Sequence, residues 1–266
     1  MTNEQEFFEK NKAAWNSRTD HHIGSAFYDM NGFRNGKNSL KDIELGLLGN
    51  VSGKTILHLQ CHFGQDTLSL ARMGAITTGV DLSDNAIGHA IDLAREMKLP
   101  ARFICCNVYD LPAFLDEKFD ILFTSYGTIG WLPDLDRWAS LISRYLKPGG
   151  RFIFAEFHPV LWMFDNEFEK IVYPYAKGDP IVEMEQGTYA ELTAPISTEM
   201  VTWNHSIAEV LSGLIKYGLH ITAFGEYDYS PYDCFKHTVQ FEPGKFRIRH
   251  LGNKVPMVYA LSAEKK

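Results

Sequence analysis

Hydrophobic and polar positions along this chain follow two periods in turn. Short apolar runs at Ile56–Leu59, Ile76–Val80, Arg102–Cys106, Phe119–Thr124 and Arg151–Phe157 have the length of strands in a covered sheet. Helical spacing separates them. Ile87, Ala90, Ile91 and Ala94 repeat at i, i+3, i+4 and i+7 behind Ser83, a natural N-cap, and Pro100 stops the pattern. Leu135, Trp138, Ala139, Ile142, Tyr145 and Leu146 form a second stripe, led by Pro133-Asp134 and broken by Lys147-Pro148-Gly149-Gly150. Regular alternation of the two periods predicts an α/β fold, a mostly parallel sheet with helices on both faces.

The flanks are less regular. A short helix is expected over residues 4–16, marked by Phe7, Phe8 and Trp15, then a polar stretch to Asn38 interrupted by Phe27-Tyr28, then a helix over Leu40–Leu48. Residues 160–202 scatter aromatic side chains among Gly, Pro and acids without a sustained period, which reads as an insertion with short strands. A helix beginning near Ser206 ends at Gly218. Strands near 219–229 and 256–263 follow, separated by a loop containing Ser230-Pro231-Tyr232-Asp233. The predicted division is a helical cap (1–50), a cofactor-binding core (51–159), a lid (160–202) and a segment completing the core sheet (203–266). The last strand is expected to run antiparallel. The lid and the Phe27-Tyr28 region are expected to cover the strand C-termini.

Candidate chemistry concentrates in residues 55–83. An apolar strand, a turn carrying Gly64, a helix and a second strand ending on Asp81 are the parts that grip a nucleotide-type cofactor. The turn admits the ligand, the helix N-terminus offers N–H groups, and the acid accepts ribose hydroxyls. A dinucleotide loop would carry three glycines as G-x-G-x-x-G, and Gln60-Cys61-His62-Phe63-Gly64 has one.

This segment resembles the first two motifs of class I S-adenosylmethionine-dependent methyltransferases, most closely a bacterial subset with a first motif like LHLQCHFGQDTL. His58 stands at the motif acid, and Gln60 and His62 at two of its three glycines. Cys106-Asn107-Val108, Phe119 to Ser125, and Leu146-Lys147-Pro148-Gly149-Gly150 resemble later family motifs. The resemblance implies a Rossmann-like seven-stranded sheet, S-adenosylmethionine as cofactor and S-adenosylhomocysteine as product. It places His58, Gln60, Cys61, His62 and Gly64 along the cofactor turn and Asp81 on the ribose. Leu82, Asn107 and Val108 fall at the adenine, and Ser125 and Tyr126 near the sulfonium, with Tyr28 as a further aromatic face for the cation. Gly130 stands where many relatives carry a polar residue beside the substrate.

Methyl transfer needs chiefly an aligned nucleophile, and a base only where the acceptor starts protonated. His158 and His205, beside strand C-termini, are the candidate bases. The alternative reading makes one a turn residue before Pro159 and the other part of a helix start. A nicotinamide oxidoreductase and a non-catalytic S-adenosylmethionine-binding module are the competing classes.

Composition narrows the partners. A net charge of −7 disfavours a nucleic-acid substrate. The four cysteines lack C-x-x-C spacing and the ten histidines show no ligand pattern, so no metal is expected. The N-terminus has no signal-peptide pattern and no apolar run is long enough to span a bilayer, which predicts a cytoplasmic protein without membrane contact. The acidic, aromatic-rich lid points to a small, partly apolar or cationic acceptor.

Overall fold

The computed structural model describes residues 3–266, so the first two residues of the expected 1–50 cap lie outside it. Its centre is a seven-stranded sheet. The first five strands are β1 (Thr55–Leu59), β2 (Ile76–Asp81), β3 (Ala101–Cys105), β4 (Phe119–Ser125) and β5 (Leu146–Phe157). Outside this sheet come β6 (Ile181–Gln186) and β7 (Ser197–Thr202), then β8 (Leu219–Tyr227) within it. The chain ends with β9 (Thr238–Glu242), β10 (Lys245–Ile248) and β11 (Val258–Lys265). The sheet order is β3-β2-β1-β4-β5-β11-β8. The pairs among β1 to β5 are parallel, and β11 runs antiparallel to both neighbours, as the pattern predicted. Strand order reverses between β1 and β4, which opens a crevice at their C-terminal ends.

The pleat explains the continuous apolar runs. Leu57, Leu122, Phe152 and Phe154 pack on one face, with Trp138 and Ile142 of a helix at Leu135–Tyr145. Ile56, Ile121, Phe123 and Ile153 pack on the other, with Leu48 and Leu70 from helices Asp42–Leu48 and Gln65–Arg72. Both faces are covered, so successive residues of the central strands are mostly buried. Counting from the N-terminus, α1 spans Asn3–Gly24, α2 Met30–Arg34, α3 Asp42–Leu48, α4 Gln65–Arg72, α5 Asp84–Met97, α6 Leu135–Tyr145 and α7 Ile207–Lys216. Ser83 caps α5 by accepting from the Ala86 N–H at 3.0 Å, and Asp134 caps α6 at the Arg137 N–H.

Several elements differ from the sequence reading, among them α2, which lies in the polar stretch before Asn38. Helix α1 continues to Gly24 instead of ending near residue 16, because Arg18, Thr19 and His22 are all buried against other segments. Strand β5 starts at Leu146, so Lys147-Pro148-Gly149-Gly150 belongs to it, and its register with β4 shifts between Phe119 and Ile121. A side chain at Gly150 would meet the Lys147 carbonyl oxygen at 2.9 Å. The stretch read as a loop after residue 229 contains the hairpin β9–β10, turned by Pro243-Gly244.

The 160–202 segment holds the antiparallel hairpin β6–β7, which lies on α1. The Asn11 side chain pairs with Val201 like a neighbouring strand, donating to its carbonyl at 2.8 Å and accepting its N–H at 2.9 Å. Among the described residues no helix is long and apolar enough to cross a membrane.

Candidate functional site

The turn after β1 alternates into left-handed backbone at Gln60 (φ 55°), His62 (φ 52°) and Gly64 (φ 78°). A side chain at Gly64 would meet the Phe103 ring at 2.7 Å, so that glycine is required twice over. At the other two positions the backbone keeps the conformation without the residue that favours it, at about 1–2 kcal/mol each. Strain of this kind collects where ligands bind.

Asp81 ends β2 opposite this turn. Its Oδ2 accepts the His62 N–H at 2.7 Å and its Oδ1 the Ser83 N–H at 2.9 Å. Burial pushes its pKa up, and the N–H groups of Ser83, His62 and Leu82 pull it back. The cap of α5 is Ser83, so Asp81 is left as a half-buried acid at the mouth of the crevice. Asn107 follows β3. Its Oδ1 accepts the Tyr109 N–H at 3.0 Å, which leaves its amide NH2 for other partners. Gln60, His62, Asp66, Asp81, Leu82, Asn107, Ser125 and Tyr126 are all half-buried, whereas the strand residues behind them are mostly buried. Most of them lie at or just past the C-terminal ends of β1 to β4.

At the end of β4 the Ser125 hydroxyl lies 3.5 Å from the Asp66 carboxylate. Tyr126, also left-handed (φ 46°), donates its hydroxyl to Glu44 at 2.7 Å. Glu44 is 0% exposed, and its other oxygen accepts the Lys41 N–H at 2.6 Å. Burial lifts it to about 7, with the nearby Asp66 charge adding to the rise. Asp66 is raised as well, again chiefly by burial. The buried Glu156 carboxylate accepts N–H groups of Gly127, Thr128 and Ile129 and fixes the loop after β4.

Helix α1 and the following turn form a roof. The Trp15, His22 and Tyr28 rings surround His62 at 5.2, 5.1 and 5.6 Å. The Tyr28 and Tyr189 hydroxyls bond to each other and tie this roof to the 160–202 segment. Burial holds His22 neutral down to about 3. Arg18, buried near Trp15 and Trp131, pairs with Glu185 and Thr198 of the hairpin. Buried polar atoms without a partner include Gln60 Oε1, His22 Nε2 and Arg18 Nε.

Several expected site residues are scaffold. His58 is buried in the core, bonded through Nδ1 to Thr67 Oγ1 at 2.8 Å with its ring on Phe123, and burial keeps it neutral to about 3. Cys61 and Val108 are likewise buried. His158 contacts Glu226 through Nε2 at 2.8 Å and accepts the Val160 N–H through Nδ1. His205 uses Nδ1 on Glu209 and Nε2 on the Leu132 carbonyl. Both nitrogens of both rings thus face a partner in this structure. Sequence reasoning did not single out Glu44, Asp66, Arg18, Tyr189 or Tyr232, which come from five separate segments. The one visible sign was an acid within an apolar helical stretch, as in Ile43-Glu44-Leu45. Among the described residues no group of three His, Cys, Asp or Glu could hold a metal ion. A separate cleft of about 380 Å³ between α6 and α7, crossed by the Lys216–Asp136 ion pair, contains none of these groups.

Residues 57–154 match the family model for a methyltransferase domain. An uncharacterised methyltransferase of Synechocystis is 33% identical over 132 residues, 48% of this chain and 59% of its own. The ubiquinone biosynthesis O-methyltransferase of Coxiella burnetii is 27% identical over 159 residues, 59% of this chain and 63% of its own. The chain thus spans about three fifths of the length of these relatives. In fold it is similar to the geranyl diphosphate C-methyltransferase of Streptomyces coelicolor, with a TM-score of 0.61, 16% identity and 98% of each chain covered. An S-adenosylmethionine-dependent methyltransferase of Mesorhizobium loti gives 0.58 at 19% identity, over 87% of this chain and all of that one. The match over residues 57–154 is thus to a methyltransferase domain, and the two solved structures share the fold of the chain.

Proposed function

We propose that the whole protein is an S-adenosylmethionine-dependent methyltransferase acting on an oxygen or nitrogen atom of a small-molecule acceptor. The carrying observation is Asp81, a half-buried carboxylate held by two backbone N–H groups beside a left-handed turn, at the point where strand order reverses. When bound, the cofactor supplies an electrophilic methyl group on a sulfonium. The residues do the holding. Asp81 takes the ribose hydroxyls, while Leu82 and the Asn107 amide meet the adenine. Gln60 Oε1, a buried acceptor without a partner, fits the ammonium of an amino-acid end. Ser125 and Tyr126 flank the reacting side.

A small acceptor is supported by the roof, where the Tyr28–Tyr189 bond ties the turn after α1 to the 160–202 segment. The net charge of −7 adds to this against nucleic acid. The Coxiella relative's name supports an oxygen acceptor, whereas the carboxylates around β4 suit nitrogen equally well. The test is incubation with a cell extract and methyl-labelled S-adenosylmethionine, read by mass spectrometry for a labelled product and S-adenosylhomocysteine. Tight S-adenosylhomocysteine binding without turnover in any extract would favour a binding module instead.

A further inference from the structure

The cofactor contacts leave unused a cluster of polar and aromatic side chains, the chamber, at the end of β4. Glu44 and Asp66 enter it from α3 and α4, Tyr126 from the β4 loop, and Tyr232 from the segment after β8. The Tyr232 ring meets Tyr126 edge-on at 5.2 Å, and Lys41 Nζ lies 4.6 Å from its centroid. Phe27 links the floor to the roof, stacking on Tyr232 at 5.7 Å and meeting Tyr189 at 5.4 Å. Glu44 accepts the Lys41 N–H at the start of α3, which explains one of its oxygens. A capping acid is ordinarily solvated. Here it is 0% exposed, and its second oxygen is spent on Tyr126.

His22 gives an independent sign of a ligand. It is 0% exposed, and Nε2 has no partner while Nδ1 faces His62. Its ring lies 5.4 Å from Tyr28 and 4.7 Å from Tyr189, the pair that roofs the chamber. A buried nitrogen without a hydrogen bond costs about 1–3 kcal/mol, which a polar ligand atom would recover.

We propose that this chamber is the acceptor site, that the acceptor is a small amine, and that Glu44 removes the proton its ammonium must lose. The proposal rests on the methyltransferase reading above. Two carboxylates against one lysine leave a single negative charge, which an ammonium neutralises and an anionic acceptor would double. The aromatic walls favour the same cation. The step balances. The ammonium passes one proton to the Glu44 carboxylate, and the freed nitrogen lone pair forms the N–C bond. The C–S electron pair stays on sulfur, giving S-adenosylhomocysteine and an N-methylated ammonium. The Glu44 proton then returns to solvent. Around Glu44, Lys41 lowers its proton affinity, Asp66 raises it, and Tyr126 and Tyr232 remain neutral phenols. Its elevated value of about 7 suits a base.

The experiment compares isosteric pairs, methylamine with methanol, ethanolamine with ethylene glycol, and phenethylamine with 2-phenylethanol. S-adenosylhomocysteine formation is followed from pH 6 to 9, and binding of each probe to the S-adenosylhomocysteine complex by calorimetry. At least one amine should exceed its alcohol tenfold in kcat/KM, with a rate that rises through pH 7. Glu44→Gln can still accept the Lys41 N–H, so it should bind S-adenosylhomocysteine like wild type, lose that rise and fall about a hundredfold in kcat. Equal use of alcohols, an unchanged Glu44→Gln profile, or failure of every amine to bind would overturn the amine assignment. Absence of S-adenosylhomocysteine binding by the wild type would instead overturn the cofactor reading, and the amine proposal with it.

Discussion

Single residues at the crevice trade stability for binding. Gln60 holds a left-handed backbone and an unpartnered oxygen in exchange for one bond from Nε2 to the Thr128 carbonyl. Gln60→Gly should therefore raise stability in urea by about 1 kcal/mol and weaken S-adenosylhomocysteine roughly tenfold. A loss of stability would mean the Thr128 bond outweighs the strain. At Asp81, two charge-assisted bonds of about 1.5–3 kcal/mol each imply at least a hundredfold loss of affinity in Asp81→Ala, less in Asp81→Asn. Calorimetry on folded protein decides this, and wild-type affinity in the alanine variant would end the ribose assignment. The buried histidines set an acid limit. His22 and His58 titrate near 3 folded against about 6.5 unfolded, so the unfolded chain binds the extra protons. Stability must then fall as pH drops from about 6.5 towards 3. His58→Gln should flatten the thermal midpoint over that window. Glu44 has the opposite sign: its contribution is complete below its unfolded value and fades as pH rises through about 7.

At the scale of elements, the β1 turn shows which features sequence can carry. Gly64→Ala adds a methyl 2.7 Å from Phe103 at positive φ, and overpacking plus strain should cost about 3 kcal/mol. Gly149→Ala, also at positive φ but with nothing within 4 Å, should cost about 1 kcal/mol. Equal midpoints for the two variants in chemical denaturation would show that Phe103 yields freely. The strands were legible because burial on both faces writes a continuous apolar run. Helix α1 was legible only to residue 16, because its last turns are polar and are buried by distant partners.

Across the whole molecule, α1 and the β6–β7 hairpin form one body over the crevice. Asn11 pairs with Val201, Arg18 with Glu185 and Thr198, and His21 with Glu191 at 3.0 Å. Residues 160–202 are accordingly proposed as a lid that moves with the N-terminal helix. Hydrogen exchange should show residues 3–24 and 181–202 slowing together when S-adenosylhomocysteine binds. Arg18→Leu should hasten exchange in both, leaving β1 to β5 unchanged, at a cost of about 2 kcal/mol to the docked lid. Independent exchange of the two segments would refute the coupling.

The apolar pattern determined the alternating core and the antiparallel last strand, and the strand-turn-helix-strand order put an acid, Asp81, at the end of β2, because each follows from local spacing and from which faces must be dry. Tertiary structure decided the rest. It assigned His158 and His205 to Glu226 and Glu209, partners that no local pattern names. It also gathered Glu44, Asp66, Tyr126 and Tyr232 from α3, α4, the β4 loop and the segment after β8. Four residues far apart in the chain carry no shared period, and only the folded sheet brings their charges and rings to one place.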